Sequence, residues 1–176
     1  MAAPLPERVL ARVAEVGGLY HRLLLVVGPP RSGKTGALRD IAAAQGWPLL
    51  NVNLRLSELL LELTQKQRAL RTARLIGDIV NATAGDVVLL DNIELLFGPD
   101  LAQDPLRLLQ GLSRNRTVVA AWCGEFDGTT LTYAEPGHPE ARRYARPEAI
   151  VVSAETSWPH GEMASPTAPH GTQETA

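Results

Sequence analysis

Long apolar runs, cysteine and lysine are all scarce in this 176-residue chain. The longest strongly apolar run, Leu23 to Val27, falls far short of the roughly 20 residues that a membrane helix needs, so no membrane association is expected. Cys123 is the only cysteine, which excludes an internal disulfide and a cysteine-built zinc site. The opening stretch MAAPLPERVLARVAEV scatters charges along its length and has no apolar centre, unlike a secretory leader. These traits predict a cytoplasmic protein. Only Lys34 and Lys66 are lysines, against 15 arginines, so Lys34 stands out inside its glycine-rich setting.

What is present is ordinary for a globular domain: 45% hydrophobic and 20% charged residues. The net charge of −2 is unevenly spread. All 17 basic residues lie in residues 1–152 beside 16 acidic ones, which leaves that part near +1 and points neither to nor away from nucleic acid. Residues 153–176 carry three Glu, no Lys or Arg, and much Pro, Ser, Thr and Ala. That composition predicts a folded domain at 1–152 followed by a disordered tail at 153–176, whose His160 and His170 are incidental.

Periodicity gives the element order. Pro6, Val9, Leu10, Val13 and Val16 mark a short amphipathic helix ended by Gly17 and Gly18. LLLVV reads as a strand buried on both faces, followed by a helix from Lys34 to Gln45 closed by Gly46. PLLNVN, residues 48–53, reads as a second strand, and Ser57 as the cap of a long helical region broken near Thr64 to Gln67. DVVLLD is a third strand, and DPLRLLQGL a helix with Asp104 as its N-cap. RTVVAAW and AIVV supply a fourth and a fifth strand. Residues 123–148 give only a hint of helix near Pro139 to Tyr144. Strands alternating with helices predict an α/β fold, a three-layer α/β/α domain with a parallel five-stranded sheet, which the G-x-x-x-x-G-K-[ST] pattern of residues 28–35 makes a P-loop NTPase.

Residues 28–35, GPPRSGKT, fill the pattern G-x-x-x-x-G-K-[ST] between the first strand and its helix. Such a loop curls so that its backbone N–H groups converge on phosphate oxygens at a helix N-terminus. The expected binding set is Gly28, Pro29, Pro30, Arg31, Ser32, Gly33, Lys34, Thr35 and Gly36. Lys34 would reach the β- and γ-phosphates of ATP, and the Thr35 hydroxyl would take one position on Mg²⁺. Asp91, ending the apolar strand VVLLD, is the second expected Mg²⁺ partner.

Additional-strand ATPases often place a glutamate directly after this aspartate; here the position is Asn92, and the nearest carboxylate is Glu94. Lys34, Asp91 and Glu94 are therefore the expected catalytic residues, with Glu94 as base. Cys123 or Glu125 falls where the fourth strand of such folds meets the γ-phosphate. Arg114 and Arg116 read as a solvated loop at the far end of the sheet. Arg142, Arg143 and Arg146 precede the last strand, where an arginine reaches a neighbour's nucleotide in oligomeric ATPases. Arg68, Arg71 and Arg74 form a helical stripe that would suit a DNA backbone, although no aromatics interleave with it. His138, with Glu135 and Glu140, reads as a proline-braced surface turn.

Taken together, LLLVVGPPRSGKT, NVNLRLSELLLELTQKQRALR, VVLLDNIELLF, DPLRLLQGLSRNRTVVAAW and LTYAEPGHPEARRY resemble the BrxF family, the small P-loop proteins of type 3 BREX phage-defence systems. The likeness covers roughly residues 5–152. It implies a bacterial antiviral defence operon whose partners include a DNA methyltransferase and larger ATPases. Three functions fit the residues: a slow AAA-like ATPase switch without a helical lid, a nucleotide-binding scaffold without turnover, and a small-molecule kinase. The first also predicts a homo-oligomer, since a core without a lid needs a neighbour to complete its site.

Overall fold

A computed structural model describes residues 2–155. Apolar strands and amphipathic helices alternate as the sequence predicts, and each element has a local cause. Helix α1 (Leu5–Val16) carries Pro6 in its first turn and buries Val9 and Val16. Strand β1 (Leu23–Gly28) is buried at every position. Helix α2 (Lys34–Gln45) ends where Gly46 adopts φ 68° and returns its N–H to the Ala42 carbonyl.

Next come β2 (Leu49–Asn51), α3 (Val52–Leu60), α4 (Gln65–Asn81) and β3 (Val87–Asp91). Two short 3₁₀ turns, Glu94–Phe97 and Pro99–Leu101, lead to α5 (Pro105–Leu112), whose first turn is capped by the Asp104 side chain at 3.2 Å from Arg107 N. Strands β4 (Thr117–Phe126), β5 (Thr130–Tyr133), β6 (Arg142–Ala145) and β7 (Ile150–Ser153) complete the order.

Five strands form a parallel sheet in the order β2-β3-β4-β1-β7. Because both faces are covered, alternate residues of one strand enter different cores. Leu23, Leu25 and Val27 join Val88, Leu90, Trp122 and the apolar sides of α3, α4 and α5. Leu24 and Val26 join Leu89, Val119 and the α1–α2 side. This is the α/β/α P-loop NTPase fold with an AAA-like sheet order, and the described residues include no helical lid.

Three expectations need correction. The second strand stops at Asn51, and it is the Asn51 side chain, accepting from Leu54 N at 3.0 Å, that caps α3. Ser57 lies inside that helix and donates to the Leu54 carbonyl. The helical region is broken at residues 61–64, and α4 restarts on a capping box between Thr64 and Gln67.

The third correction falls in residues 123–148: the five parallel strands are present as expected, and two antiparallel strands extend the sheet to seven in place of the hinted helix. Strand β4 runs on past Trp122, and β5 and β6 add to it as an antiparallel hairpin. Residues 139–144 form a turn and the start of β6, with no helix. The hairpin is welded to the core by aromatic packing. Tyr133 stacks on Phe97 with centroids 3.5 Å apart, and Trp122 donates its Nε1–H to the Thr132 carbonyl at 2.9 Å.

The chain stays on the core just beyond residue 152, where β7 ends at Ser153. Ala154 N donates to the Val27 carbonyl at 2.7 Å, and Arg8 donates to the Ser153 carbonyl at 2.8 Å. The rest of the expected tail, residues 156–176, lies outside the described residues.

Candidate nucleotide site

The carboxyl end of β1 feeds the loop of residues 28–33, which turns directly into α2. Its backbone is tightly wound: Arg31 takes φ 62° and Gly33 φ 88°. Gly28 is required by crowding, since a Cβ there would lie 2.6 Å from Ser32 Oγ and 2.8 Å from Ala154 Cβ. Gly33 caps α2 without a side-chain acceptor, so the first-turn N–H groups of α2 face the loop cavity.

That cavity has a volume of about 400 Å³ and brings together the loop residues Pro30 to Gly36 with Asp91, Asn92, Glu94 and Cys123. Lys34 is only 7% exposed rather than a solvated side chain. Its ammonium donates to the Gly28 carbonyl at 2.8 Å, the Pro29 carbonyl at 2.6 Å and Ser32 Oγ at 3.1 Å. Asp91 is 6% exposed, and its Oδ1 accepts from Asn92 N at 3.0 Å. It has no basic partner among the described residues. A nearly buried carboxylate without a cation, lining the same cavity as Thr35, is a hard-oxygen donor set that fits Mg²⁺. The cradle and its lysine fit a phosphate chain.

Asn92 occupies the left-handed region at φ 52°, which Asn tolerates better than most residues. The reversal buries Ile93 and starts the 3₁₀ turn at Glu94. Glu94 borders the cradle cavity. The structure adds a residue that sequence reasoning missed. Asn53 donates through Nδ2 to Glu94 Oε2 at 3.3 Å and accepts from Leu95 N at 2.8 Å, while its own N–H donates to the Asn92 carbonyl at 2.8 Å. Its signal was hidden because NVN read as the end of a strand.

The other candidates separate cleanly. Cys123 pairs in register with Gly28 and lines the cradle, whereas Glu125 lies two residues farther along β4 and does not. Arg142 turns inward, donating to the Ala141 carbonyl at 3.1 Å and the Phe97 carbonyl at 3.5 Å; Arg143 and Arg146 are exposed. Arg116 is not a solvated loop residue: it donates to the Val80 and Thr83 carbonyls at 2.8 Å and so closes the end of α4. Arg68 likewise serves the end of α3 through the Leu60 and Leu63 carbonyls, which removes it from the basic stripe. His138 sits in a turn with its Nδ1 accepting from Glu140 N at 3.1 Å. Among the described residues, no cluster of three His, Cys, Asp or Glu side chains is placed to hold a metal ion.

No protein-family profile matches the chain, and no curated protein matches it. Among solved structures it is similar to the replication initiator DnaA bound to AMPPCP and single-stranded DNA, with 19% identity over 85% of this chain and 45% of that one (TM-score 0.49). PCH-2 of C. elegans aligns at 18% identity over 85% of this chain and 41% of that one (TM-score 0.45). AMPPCP-bound DnaA from Aquifex aeolicus aligns at 17% identity over 85% of this chain and 44% of that one (TM-score 0.47). The chain thus spans less than half the length of each of these proteins.

Proposed function

We propose that the protein binds ATP with Mg²⁺ and hydrolyses it slowly, acting as a switch or assembly component of a BREX-type phage-defence complex. The observation that carries the nucleotide reading is the convergence of Lys34, Thr35, Asp91 and Glu94 on one cavity at the carboxyl end of β1. Bound Mg²⁺ would supply charge neutralisation at the phosphates, held by the Thr35 hydroxyl and the Asp91 carboxylate. Lys34 would exchange its two loop carbonyls for phosphate oxygens. Glu94 would take a proton from an attacking water, and Asn53, bonded to one of its oxygens, holds that carboxylate back.

The Asn53–Glu94 bond also favours a second reading, a nucleotide-binding scaffold without turnover. The two are separated by phosphate release from the wild type and from Glu94→Gln, each with and without DNA and partner proteins. A small-molecule kinase would instead transfer the γ-phosphoryl group to an added acceptor and release ADP without free phosphate.

The defence role rests on the resemblance of LDNIELLF, DPLRLLQ and YAEPGHPE to BrxF. Co-purification with a DNA methyltransferase or a larger ATPase from the same operon tests it; a chain that binds neither has lost that role. ATP is further expected to favour a homo-oligomer. With Arg142 held within its own chain, Arg143 is the better candidate to reach a neighbour. A chain that stays monomeric by light scattering with ATP and Mg²⁺ would remove that role.

A further inference from the structure

A second cavity, of about 800 Å³, lies between the β5–β6 hairpin and the phosphate loop. Its volume is within the roughly 300–1,000 Å³ typical of small-molecule pockets. It adjoins the cradle, with Pro30, Glu94 and Cys123 lining both. Pro29, Pro30, Pro136 and Ala141 give it apolar walls.

Tyr133 is the polar group built into its lining. The residue is 8% exposed, its ring stacks on Phe97 and sets its edge toward Trp122, and its hydroxyl has no hydrogen-bond partner among the described residues. The hydroxyl itself reaches the cavity and has both its donor and its acceptor capacity free for a ligand that enters it. Burial, and after it the charges of Glu140 and Glu94, both of which line the cavity, push the pKa of this phenol up to about 12.

The charge of the cavity selects the ligand. Glu94, Glu125, Glu135 and Glu140 border it against Arg142 and Arg143, and the Arg142 guanidinium is already spent on two backbone carbonyls. An anion would meet surplus carboxylate, whereas an ammonium group can donate to Tyr133 Oη and to a glutamate while its apolar body covers the prolines. We propose that this cavity binds a small organic cation, an amine on a compact apolar body, beside the phosphate loop.

The test uses the full chain without nucleotide, so that its failure and a failure of ATP binding are independent results. Calorimetry with phenethylamine, its uncharged counterpart 2-phenylethanol and a lysine-rich peptide compares the three ligands. Phenethylamine should bind in the millimolar range or tighter, and about tenfold tighter than the alcohol. Tyr133→Phe, which keeps the ring stack, and Glu140→Gln should each weaken it several-fold, while Glu58→Gln on the exposed side of α3 should not. Should Tyr133→Phe fail to fold, Glu140→Gln alone decides. Equal affinity for amine and alcohol, affinity unchanged in Glu140→Gln, binding by the peptide alone, or no binding of the amine at about 10 mM would each overturn the proposal.

Discussion

Lys34 has two occupations, and its variants should report both. The ammonium is buried and satisfied by the Gly28 and Pro29 carbonyls, so Lys34→Ala removes a loop brace as well as the expected phosphate contact. Charge-assisted bonds of this kind contribute roughly 1.5–3 kcal/mol. ATP affinity in the variant should therefore fall about ten- to a hundredfold, with a measurable drop in melting temperature. Calorimetry that returns wild-type ATP affinity on the folded variant would sink the nucleotide assignment.

Turnover turns on three neighbouring side chains. Glu94→Gln should abolish phosphate release, and Asn53→Ala should raise it by freeing the carboxylate. Glutamate at position 92, which the sequence pattern alone recommends, should not help. Asn92 adopts φ 52°, and glutamate there would be strained by roughly 1–2 kcal/mol. Full turnover in Glu94→Gln would show that another group orients the water.

The β5–β6 hairpin is the element that sequence reasoning missed, although its signals were present. Asp127-Gly128 is the turn pair that leads from β4 into β5, with Asp127 Oδ1 accepting from Thr129 N and Thr130 N at 2.8 and 2.7 Å and Gly128 at φ 99°. TLTY after it alternates half-buried and buried positions. The run of Gly and Pro around these residues masked the alternation, and the anchoring comes from Phe97 and Trp122, remote in sequence. By contrast, β1, α2 and α5 were legible because their causes are local: a buried apolar run, a glycine C-cap, an Asp-Pro N-cap. The phosphate loop was legible for the same reason, whereas Asn53 enters the site only through the tertiary approach of α3 to the Glu94 turn.

Gly124 tests how firmly the hairpin is docked, because a Cβ there would overlap the Thr132 carbonyl oxygen and lie 2.9 Å from Trp122 Nε1. Gly124→Ala should cost about 1–3 kcal/mol, a fall of roughly 2–12 °C in melting temperature, with a change in tryptophan emission. An unshifted melt would mean that the hairpin packs more loosely than its contacts imply. The same element predicts alkaline sensitivity. Burial raises the phenol pKa of Tyr133 and of Tyr144, and Tyr144 also donates to Asp104 Oδ1 at 2.9 Å. A raised folded-state pKa contributes stability that is complete below about pH 10 and lost as pH rises through the folded value. Melting temperature should therefore fall steeply from pH 10 to 12, together with rising phenolate absorbance, and Tyr144→Phe should blunt the fall.

At the scale of the whole molecule, the fold ends on a contact with the loop that begins its chemistry. Strand β7 pairs with β1 from Leu24↔Ile150 to Val27↔Ser153, and Ala154 then packs against Gly28 while its N–H donates to the Val27 carbonyl. Arg8, from the first helix, donates to the Ser153 carbonyl, so both ends of the domain meet beside the phosphate loop. Residues 156–176 contribute few apolar side chains by composition. Two truncations therefore differ by three residues in length and should differ sharply in effect. A chain ending at Glu155 should keep the wild-type melting temperature and ATP affinity. One ending at Val152 loses the Arg8 acceptor, the Ala154 hydrogen bond and the wall against Gly28, and should melt several degrees lower, at about 2–4 °C per kcal/mol, and bind ATP more weakly. Thermal melts and calorimetry on the pair decide between them. If both truncations match the full chain, the β7 end does not brace the loop; if both fall together, residues after Glu155 contribute to the fold.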